Sequence, residues 1–163
     1  MNQVADKKEH YLFPGNLFAS TEPYVVTTVL GSCVSVCLID EKAGIGGINH
    51  YMLPLWNGEG LASPKYGNIA IEKLLEKILQ LGAERGRLKA KVFGGGEVLK
   101  ISNGVLNVGE RNIKLAEDML HDMRIHVAGK DVGGQTGRKL LFNTATGKVL
   151  MKRLNRQVDD IRI

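Results

Sequence analysis

The sequence has little of several things that mark other classes of protein. Its 163 residues include only 2 Cys and 1 Trp, which excludes a disulfide-stapled scaffold. The longest apolar stretch, residues 24–39, is interrupted by Thr, Ser and Gly, whereas a membrane-spanning helix needs about 20 mostly apolar residues. The first residues include Lys but no apolar stretch follows them, so no signal peptide is indicated. We therefore expect a cytoplasmic protein with two free thiols.

Positive charge is present but is not concentrated in the way that nucleic-acid binding needs. The net charge is +5. Residues 1–70 hold 4 Lys and Arg against 6 Asp and Glu, a net charge of −2, and residues 71–163 hold the other 18 and 11, a net charge of +7. No basic run exceeds two residues, and zinc-finger and ribonucleoprotein signatures are missing. The basic part is interpreted as a solvated face or a docking surface for an acidic partner.

Strand and helix patterns predict a single domain of the α/β class. An antiparallel meander at 24–29, 34–39 and 44–52 is followed by helices at 68–82 and 109–123 and short strands at 89–93, 124–128, 139–143 and 148–152. These elements predict an α/β sandwich with a mixed sheet, an early antiparallel meander and two main helices. Residues 17–155 are assigned to this domain, 1–16 to a leader and 156–163 to a C-terminal tail.

Cys33 is the first candidate for chemistry, because it follows a Gly-Ser turn and precedes a strand. A cysteine nucleophile needs a base, and His50 is the natural one. If the predicted hairpin pairs Ile39 with Gly44, Cys33 lies directly opposite His50, on the same face of the sheet. The alternative is that Cys33 is a small buried apolar residue. Cys37, four residues along the same strand, is the better candidate for a core residue. About 13 Å separates it from Cys33, which is too far for a disulfide.

Hydroxyls and glycines around these residues suggest supporting roles. Thr27 or Thr28 can offer a hydroxyl to the second imidazole nitrogen of the histidine. The glycine run 94–96 lacks the Lys-Ser/Thr pair of a phosphate-binding loop. We interpret it instead as backbone that passes close to a site.

Five blocks of sequence, in order from about residue 17 to 154, resemble the CheD family of chemoreceptor glutamine deamidases. They are Thr27-x-x-x-Gly31-Ser32-Cys33-Val34-x-Val36-Cys37, Gly44-x-Gly46-Gly47-x-x-His50-x-Met52-Leu53-Pro54, Phe93-Gly94-Gly95-Gly96, Gly109-Glu110-Arg111-Asn112 and Asp131-x-Gly133-Gly134-x-x-Gly137-Arg138-Lys139. Each block alone is a modest match to the family, and the five blocks together are specific to it.

The resemblance implies a catalytic set of Cys33 as nucleophile, His50 as base and Thr27 as third residue, with Thr28 as the neighbouring alternative. It implies an α/β sandwich related to the catalytic domain of deamidating toxins. The backbone around Cys33 is expected to stabilise an oxyanion, with support from Gly31, Ser32, Gly94 and Gly95.

The implied reaction converts receptor glutamines to glutamates through a thioester on the cysteine, with methylesterase activity as a side reaction. Neither a metal nor another cofactor is expected. The implied partners are chemoreceptor cytoplasmic domains and a CheC-type phosphatase, with no nucleic acid and no membrane insertion, in a cytoplasmic protein associated with receptor arrays. The alternatives are a non-catalytic docking module for that phosphatase and a redox sensor that uses Cys33.

Overall fold

The computed structural model describes residues 8–97 and 107–154, which form nine strands and two α-helices. The strands are β1 (Lys8–Tyr11), β2 (Leu17–Ser20), β3 (Tyr24–Leu30), β4 (Val34–Asp40), β5 (Ile45–Asn49), β6 (Lys89–Gly94), β7 (His126–Val132), β8 (Gly137–Asn143) and β9 (Val149–Leu154). The helices are α1 (Gly67–Gln80) and α2 (Val108–Asp122). Over these described parts of the chain, neither helix has the length and apolar character that crossing a bilayer requires.

The strands form two mixed sheets. Sheet A has the order β1-β3-β8-β9, in which β1 and β3 are parallel and the other neighbours antiparallel. Sheet B has the order β2-β5-β4-β6-β7, in which only β6 and β7 are parallel. The alternation of apolar residues along β3 and β8 buries one face of sheet A, which is the pattern of a strand packed on one side.

Two layers of apolar side chains hold the sheets and helices together. The intersheet core lies between the two sheets and comprises Leu12, Val26, Leu30, Cys37, Ile48, Phe93, Leu140 and Phe142. The helix-facing core lies on the other face of sheet B, where residues such as Val36 and Leu38 meet Ile71, Leu74 and Leu120 of the helices. All seven residues of β4 are buried because both of its faces are covered. Each fully buried Leu or Val contributes about 1.5–3 kcal/mol to stability.

The predicted fold class is confirmed: the chain is an α/β sandwich with mixed sheets and two main helices. The predicted meander is divided between the sheets, since β3 pairs with β1 and β8 while β4 pairs with β5 and β6. Residues 31–33 therefore carry the chain from sheet A to sheet B. Sequence periodicity cannot show this crossing, because each strand looks the same in either sheet.

Part of the predicted leader belongs to the sandwich. Residues 8–11 form β1, a parallel edge strand beside β3, and Leu12 is 1% exposed in the intersheet core. The ring of His10, a residue within the predicted leader, stacks on Phe18 with 4.1 Å between ring centroids. β1 is short and mostly polar, and its pairing partners in β3 lie more than ten residues away in the sequence. The local sequence pattern therefore does not predict this strand. Residues 1–7 and the predicted tail 156–163 lie outside the described residues.

The hairpin between β4 and β5 has a different register from the predicted one. Asp40 pairs with Ile45, so the loop consists of residues 41–44 and Gly44 takes a φ of +68°. The side chain of Asp40 stabilises this loop, because its Oδ1 accepts a hydrogen bond of 3.1 Å from the Ala43 amide. Its carboxylate also binds the Arg87 guanidinium at 2.9 Å, which lowers the pKa of Asp40 to about 2.

Candidate active site

Cys33 lies in the crossing between the two sheets, which we call the nucleophile loop (residues 31–33). Its side chain is partly buried and packs against the intersheet core. Burial raises the pKa of the Cys33 thiol above its usual range. Cys37 is 1% exposed within the intersheet core, as predicted for a structural cysteine. Of the two thiols, Cys33 is therefore the accessible one.

The three carbonyl groups of the nucleophile loop are all hydrogen-bonded. The Gly31 carbonyl accepts from the Gly96 amide and the Cys33 carbonyl from the Gly95 amide, both at 2.9 Å. The Ser32 carbonyl accepts from Nδ2 of Asn112 at 3.0 Å. No described residue accepts a hydrogen bond from the Ser32 or Cys33 amide. The carbonyl groups of the loop are therefore held, and two of its amide groups have no acceptor among the described residues.

The predicted support residues Gly94 and Gly95 lie against this loop at the end of β6. A Cβ on Gly94 would stand 2.2 Å from the Cys33 carbonyl oxygen, and Gly94 has a φ of +110°. A Cβ on Gly95 would stand 2.4 Å from the Ile113 side chain, and its φ is +71°. Side chains at these positions would displace either the nucleophile loop or α2. The glycine run thus packs closely against both the nucleophile loop and α2.

His50 is buried, with 2% of its surface exposed, directly after β5. Its main chain is paired with the segment before β2: the His50 amide donates to the Asn16 carbonyl at 3.1 Å. Its Nδ1 atom lies 2.7 Å from Oγ1 of Thr28. The same hydroxyl donates to the Leu12 carbonyl at 2.8 Å.

This pair of hydrogen bonds determines the tautomer of His50. A carbonyl only accepts, so the single hydroxyl proton of Thr28 goes to Leu12. The Thr28 oxygen must then accept from Nδ1–H of His50, and the lone pair of the imidazole is on Nε2. Nε2 is buried and has no hydrogen-bond partner among the described residues. A base with this tautomer is ready to take a proton from a neighbouring thiol.

Burial also sets the charge of the base. It lowers the pKa of His50 to about 4, because the imidazolium loses its hydration inside the protein. With the pKa of Cys33 raised, thiol and imidazole are both neutral near pH 7. These shifts favour a neutral resting pair over a preformed thiolate–imidazolium pair.

Cys33 and His50 are close in the fold, but not as direct partners across the hairpin. Bridges pair Cys37 with Ile48 and Val34 with Tyr51, so Cys33 is opposite Met52, and His50 is opposite Ser35, two pairs further along the hairpin. The shift from the predicted register is two residues, which keeps both side chains on the face that looks toward sheet A. The two side chains are diagonal neighbours and are not hydrogen-bonded to each other. In enzymes without substrate, such catalytic hydrogen bonds are often long and tighten on binding.

Of the two threonines that the sequence leaves open, the structure places Thr28 and not Thr27 against His50. Thr28 contacts His50, whereas Thr27 points away from it on the opposite face of β3 and is only partly buried. Thr28 shares its face with Val26 and Leu30, which lie in the intersheet core. Since successive side chains on a strand point to opposite faces, only one of the two threonines can reach sheet B.

Two contributions to the site were missed by reasoning from the sequence. The Leu12 carbonyl orients the Thr28 hydroxyl, and no side-chain pattern can reveal a backbone acceptor. Asn112 is fully buried in the first turns of α2, beside the nucleophile loop. Asn112 belongs to the Gly109–Asn112 block that resembles the family, and this could have indicated a role at the site.

Within the described ranges 8–97 and 107–154, no three His, Cys, Asp or Glu side chains are grouped in a way that can hold a metal ion. A cysteine beside a histidine whose other nitrogen is oriented by a hydroxyl is the arrangement of a cysteine hydrolase. That is the class of protein that the sandwich and its site define.

Comparison with known proteins specifies the class further. Residues 52–153 match the family described as CheD chemotactic sensory transduction. A protein of Trichlorobacter lovleyi named probable chemoreceptor glutamine deamidase CheD is 53% identical over 150 residues, 92% of this chain and 93% of the relative. A protein of the same name from Sulfurimonas denitrificans is 48% identical over 89% of this chain and 94% of the relative. The chain belongs to the CheD family.

The likeness to solved structures is much weaker. A crystal structure of Neisseria meningitidis protein NMB0706 aligns with 81% of this chain and 64% of that chain, at 10% identity and a TM-score of 0.41.

Proposed function

We propose that this protein is a protein-glutamine deamidase that converts selected glutamine side chains of chemoreceptors to glutamate and releases ammonia. The observation that carries the proposal is the hydrogen-bonded series from the Leu12 carbonyl through Thr28 to His50, which puts the lone pair on Nε2 of a histidine that shares a face of sheet B with the partly exposed Cys33. The names of the relatives supply the substrate, a chemoreceptor glutamine.

The first half of the reaction forms an acyl-enzyme. Nε2 of His50 takes the Cys33 proton while the sulfur attacks the carboxamide carbon of the glutamine. The carbonyl oxygen becomes an oxyanion that can be bound by the free amides of the nucleophile loop. The imidazolium then gives its proton to the leaving nitrogen, ammonia departs, and a thioester remains on Cys33.

The second half returns the enzyme to its starting state. Water enters where the ammonia left, and Nε2 of His50 takes one of its protons as the oxygen attacks the thioester carbon. The carbon–sulfur bond breaks, and the proton on His50 returns to the sulfur. The sum is glutamine plus water giving glutamate plus ammonia. A glutamyl methyl ester can form the same thioester with methanol leaving, which makes methylesterase activity a side reaction.

The neutral resting pair suits an amide substrate. An amide nitrogen leaves only when it is protonated, and the imidazolium formed during attack is a strong acid because burial disfavours its charge. The same burial that weakens His50 as a base therefore strengthens it as the acid that expels ammonia.

The surface beside the site can receive an extended partner such as a receptor helix. Met52, Leu53 and Leu55 follow His50 in the chain and are 38%, 39% and 59% exposed. Exposed apolar side chains next to a catalytic cysteine are suited to a protein substrate. The proposed partners are chemoreceptor cytoplasmic domains and a CheC-type phosphatase, and the proposed location is the receptor array.

The test is deamidation of a chemoreceptor cytoplasmic fragment by wild-type protein, Cys33→Ala and Cys37→Ala, followed by ammonia release and by mass spectrometry of receptor peptides. We expect wild type and Cys37→Ala to convert glutamine to glutamate, and Cys33→Ala to be inactive. Cys33→Ala should still bind the receptor fragment, since the thiol is a small part of the surface. Deamidation by Cys33→Ala at the wild-type rate would overturn the proposal. Wild-type protein that binds receptor or phosphatase without releasing ammonia would favour the docking module.

A further inference from the structure

The side chain of Asn112 joins the two halves of the site. It lies in α2, is fully buried, and donates one Nδ2 hydrogen to the Ser32 carbonyl at 3.0 Å and the other to the Met52 carbonyl at 3.1 Å. Ser32 precedes Cys33, and Met52 follows His50 by two residues. One amide group thus connects the loop that carries the nucleophile to the strand end that carries the base.

The orientation of this amide group follows from its neighbours. Both partners are carbonyl oxygens, which accept only, so Nδ2 and not Oδ1 must face them. Oδ1 is buried and has no partner among the described residues. The main-chain carbonyl of Asn112 is held separately, because the Tyr51 hydroxyl donates to it at 2.6 Å. The position of α2 and the direction of the Asn112 side chain are therefore secured by different contacts.

Holding the Ser32 carbonyl also sets the direction of the next amide. The Ser32–Cys33 peptide is planar and its N–H points opposite to its C=O. With the carbonyl directed at Asn112, the Cys33 N–H is directed away from α2. The amide of a nucleophilic residue is well placed to bind the oxyanion that forms on the carbon it attacks, and no described residue occupies it.

We infer that Asn112 is a positioning residue for the reaction, which holds the Cys33 amide as an oxyanion donor and sets the spacing between Cys33 and His50. The inference rests on the proposed deamidase function and goes beyond it by assigning the side chain that orients the Cys33 amide toward the oxyanion. Asn112 touches neither the substrate nor the reacting atoms, and it acts through two carbonyl groups.

The test compares Asn112→Ser and Asn112→Asp with Tyr51→Phe, which removes the separate hydrogen bond to the main chain of the same residue. We expect both Asn112 variants to lower kcat roughly a hundredfold, the loss typical of a missing oxyanion donor, with KM unchanged. Alkylation of Cys33 by iodoacetamide, which forms no oxyanion, should slow far less than kcat falls. Tyr51→Phe should lower the thermal midpoint and keep kcat. Wild-type kcat in the Asn112 variants, or an equal loss of kcat in Tyr51→Phe, would overturn the inference.

A second measurement needs no variant. It tests the Cys33 amide as the oxyanion donor even if the Asn112 variants do not fold. A peptide that carries the aldehyde analogue of glutamine adds reversibly to the thiol, and its oxygen then takes the place of the oxyanion. In wild-type protein the Cys33 amide resonance should shift downfield on addition, as a new hydrogen bond requires. An adduct on Cys33 with an unmoved Cys33 amide resonance would overturn the inference. Wild-type protein that releases no ammonia from receptors contradicts the proposed function instead, so the two failures are distinguishable.

Discussion

Thr28 Oγ1 lies 2.7 Å from His50 Nδ1, and this hydrogen bond links the two sheets of the sandwich at the site. Thr28 belongs to β3 of sheet A and His50 follows β5 of sheet B. The bond is buried, and the Leu12 carbonyl directs it from the other side. The tautomer of His50 therefore depends on how the two sheets pack, because that packing places the Thr28 hydroxyl beside Nδ1.

Thr28→Val should lower the rate of receptor deamidation. The variant keeps the shape of the side chain and removes the acceptor for Nδ1–H, so neither tautomer nor ring orientation is held. A buried hydrogen bond contributes about 1 kcal/mol, and leaving Nδ1 unsatisfied adds to that loss. We therefore expect a fall in kcat of roughly tenfold or more, measured as ammonia release under saturating receptor.

Thr27→Val is the matched control, with the same chemical change one residue away on the partly buried face of β3. Its kcat should equal that of wild type. The opposite ranking of the two variants would show that Thr27 is the orienting residue and that β3 has the other face toward His50.

The pH dependence of deamidation should reflect the burial of His50. Its pKa is lowered to about 4, and the neutral form is the active base. Activity should thus persist as the pH falls below 6.5, the ordinary histidine value, and disappear as the pH passes through about 4. The measurement is kcat/KM against pH. An acid limb at the ordinary histidine value would contradict a buried neutral base.

The same shift makes folding sensitive to acid, with a sign that can be checked independently. Between the unfolded pKa of about 6.5 and the folded pKa the unfolded chain binds more protons. The stability contributed by neutral His50 is fully present above this pH range. It decreases by about 3 kcal/mol as the pH falls from the unfolded pKa to the folded pKa. Chemical denaturation of wild type and His50→Gln at several pH values should show this loss in wild type alone. Equal acid sensitivity in both proteins would place its origin elsewhere.

The two cysteines should differ in reactivity in the folded protein. Cys33 is partly exposed, whereas Cys37 is 1% exposed and burial raises the pKa of its thiol. Iodoacetamide should add one label to folded wild-type protein, on Cys33, and a second label only after unfolding. Folded Cys33→Ala should remain unlabelled. Labelling of Cys37 in the folded state would mean that the intersheet core opens.

Gly94→Ala should damage the site, and Gly44→Ala should not. Both glycines have positive φ, +110° and +68°, but a Cβ on Gly94 would stand 2.2 Å from the Cys33 carbonyl oxygen, and nothing lies within 4 Å of one on Gly44. The backbone strain alone costs each variant about 1–2 kcal/mol. Displacement of the nucleophile loop should add a loss of kcat on the order of a hundredfold in Gly94→Ala alone. Comparable kcat values in the two variants would show that the glycine run does not position Cys33.

The hairpin between β4 and β5 shows how far prediction from the sequence reached. The starts of the two strands, to within one residue, and the shared face of Cys33 and His50 follow from the alternation of residues, and the structure has both. β5 ends at Asn49, three residues before the predicted end of the strand. The predicted pairing of Ile39 with Gly44 is wrong, because the Asp40 carboxylate caps the loop and moves the turn by one residue on each side. That cap is supported by Arg87, 47 residues away, and a contact so distant in sequence is invisible to local pattern.

The sequence by itself determined the fold class, the family and the residue types that can carry the chemistry, because these depend on local periodicity and on short motifs with specific spacing. Only the tertiary structure decided which threonine orients His50, which residues before β2 belong to the sandwich, and which side chain holds the nucleophile loop. Each of these depends on how one sheet or helix lies on another. Such packing is settled by contacts between residues far apart in the chain, whose side chains have no fixed relation until the core between them has formed.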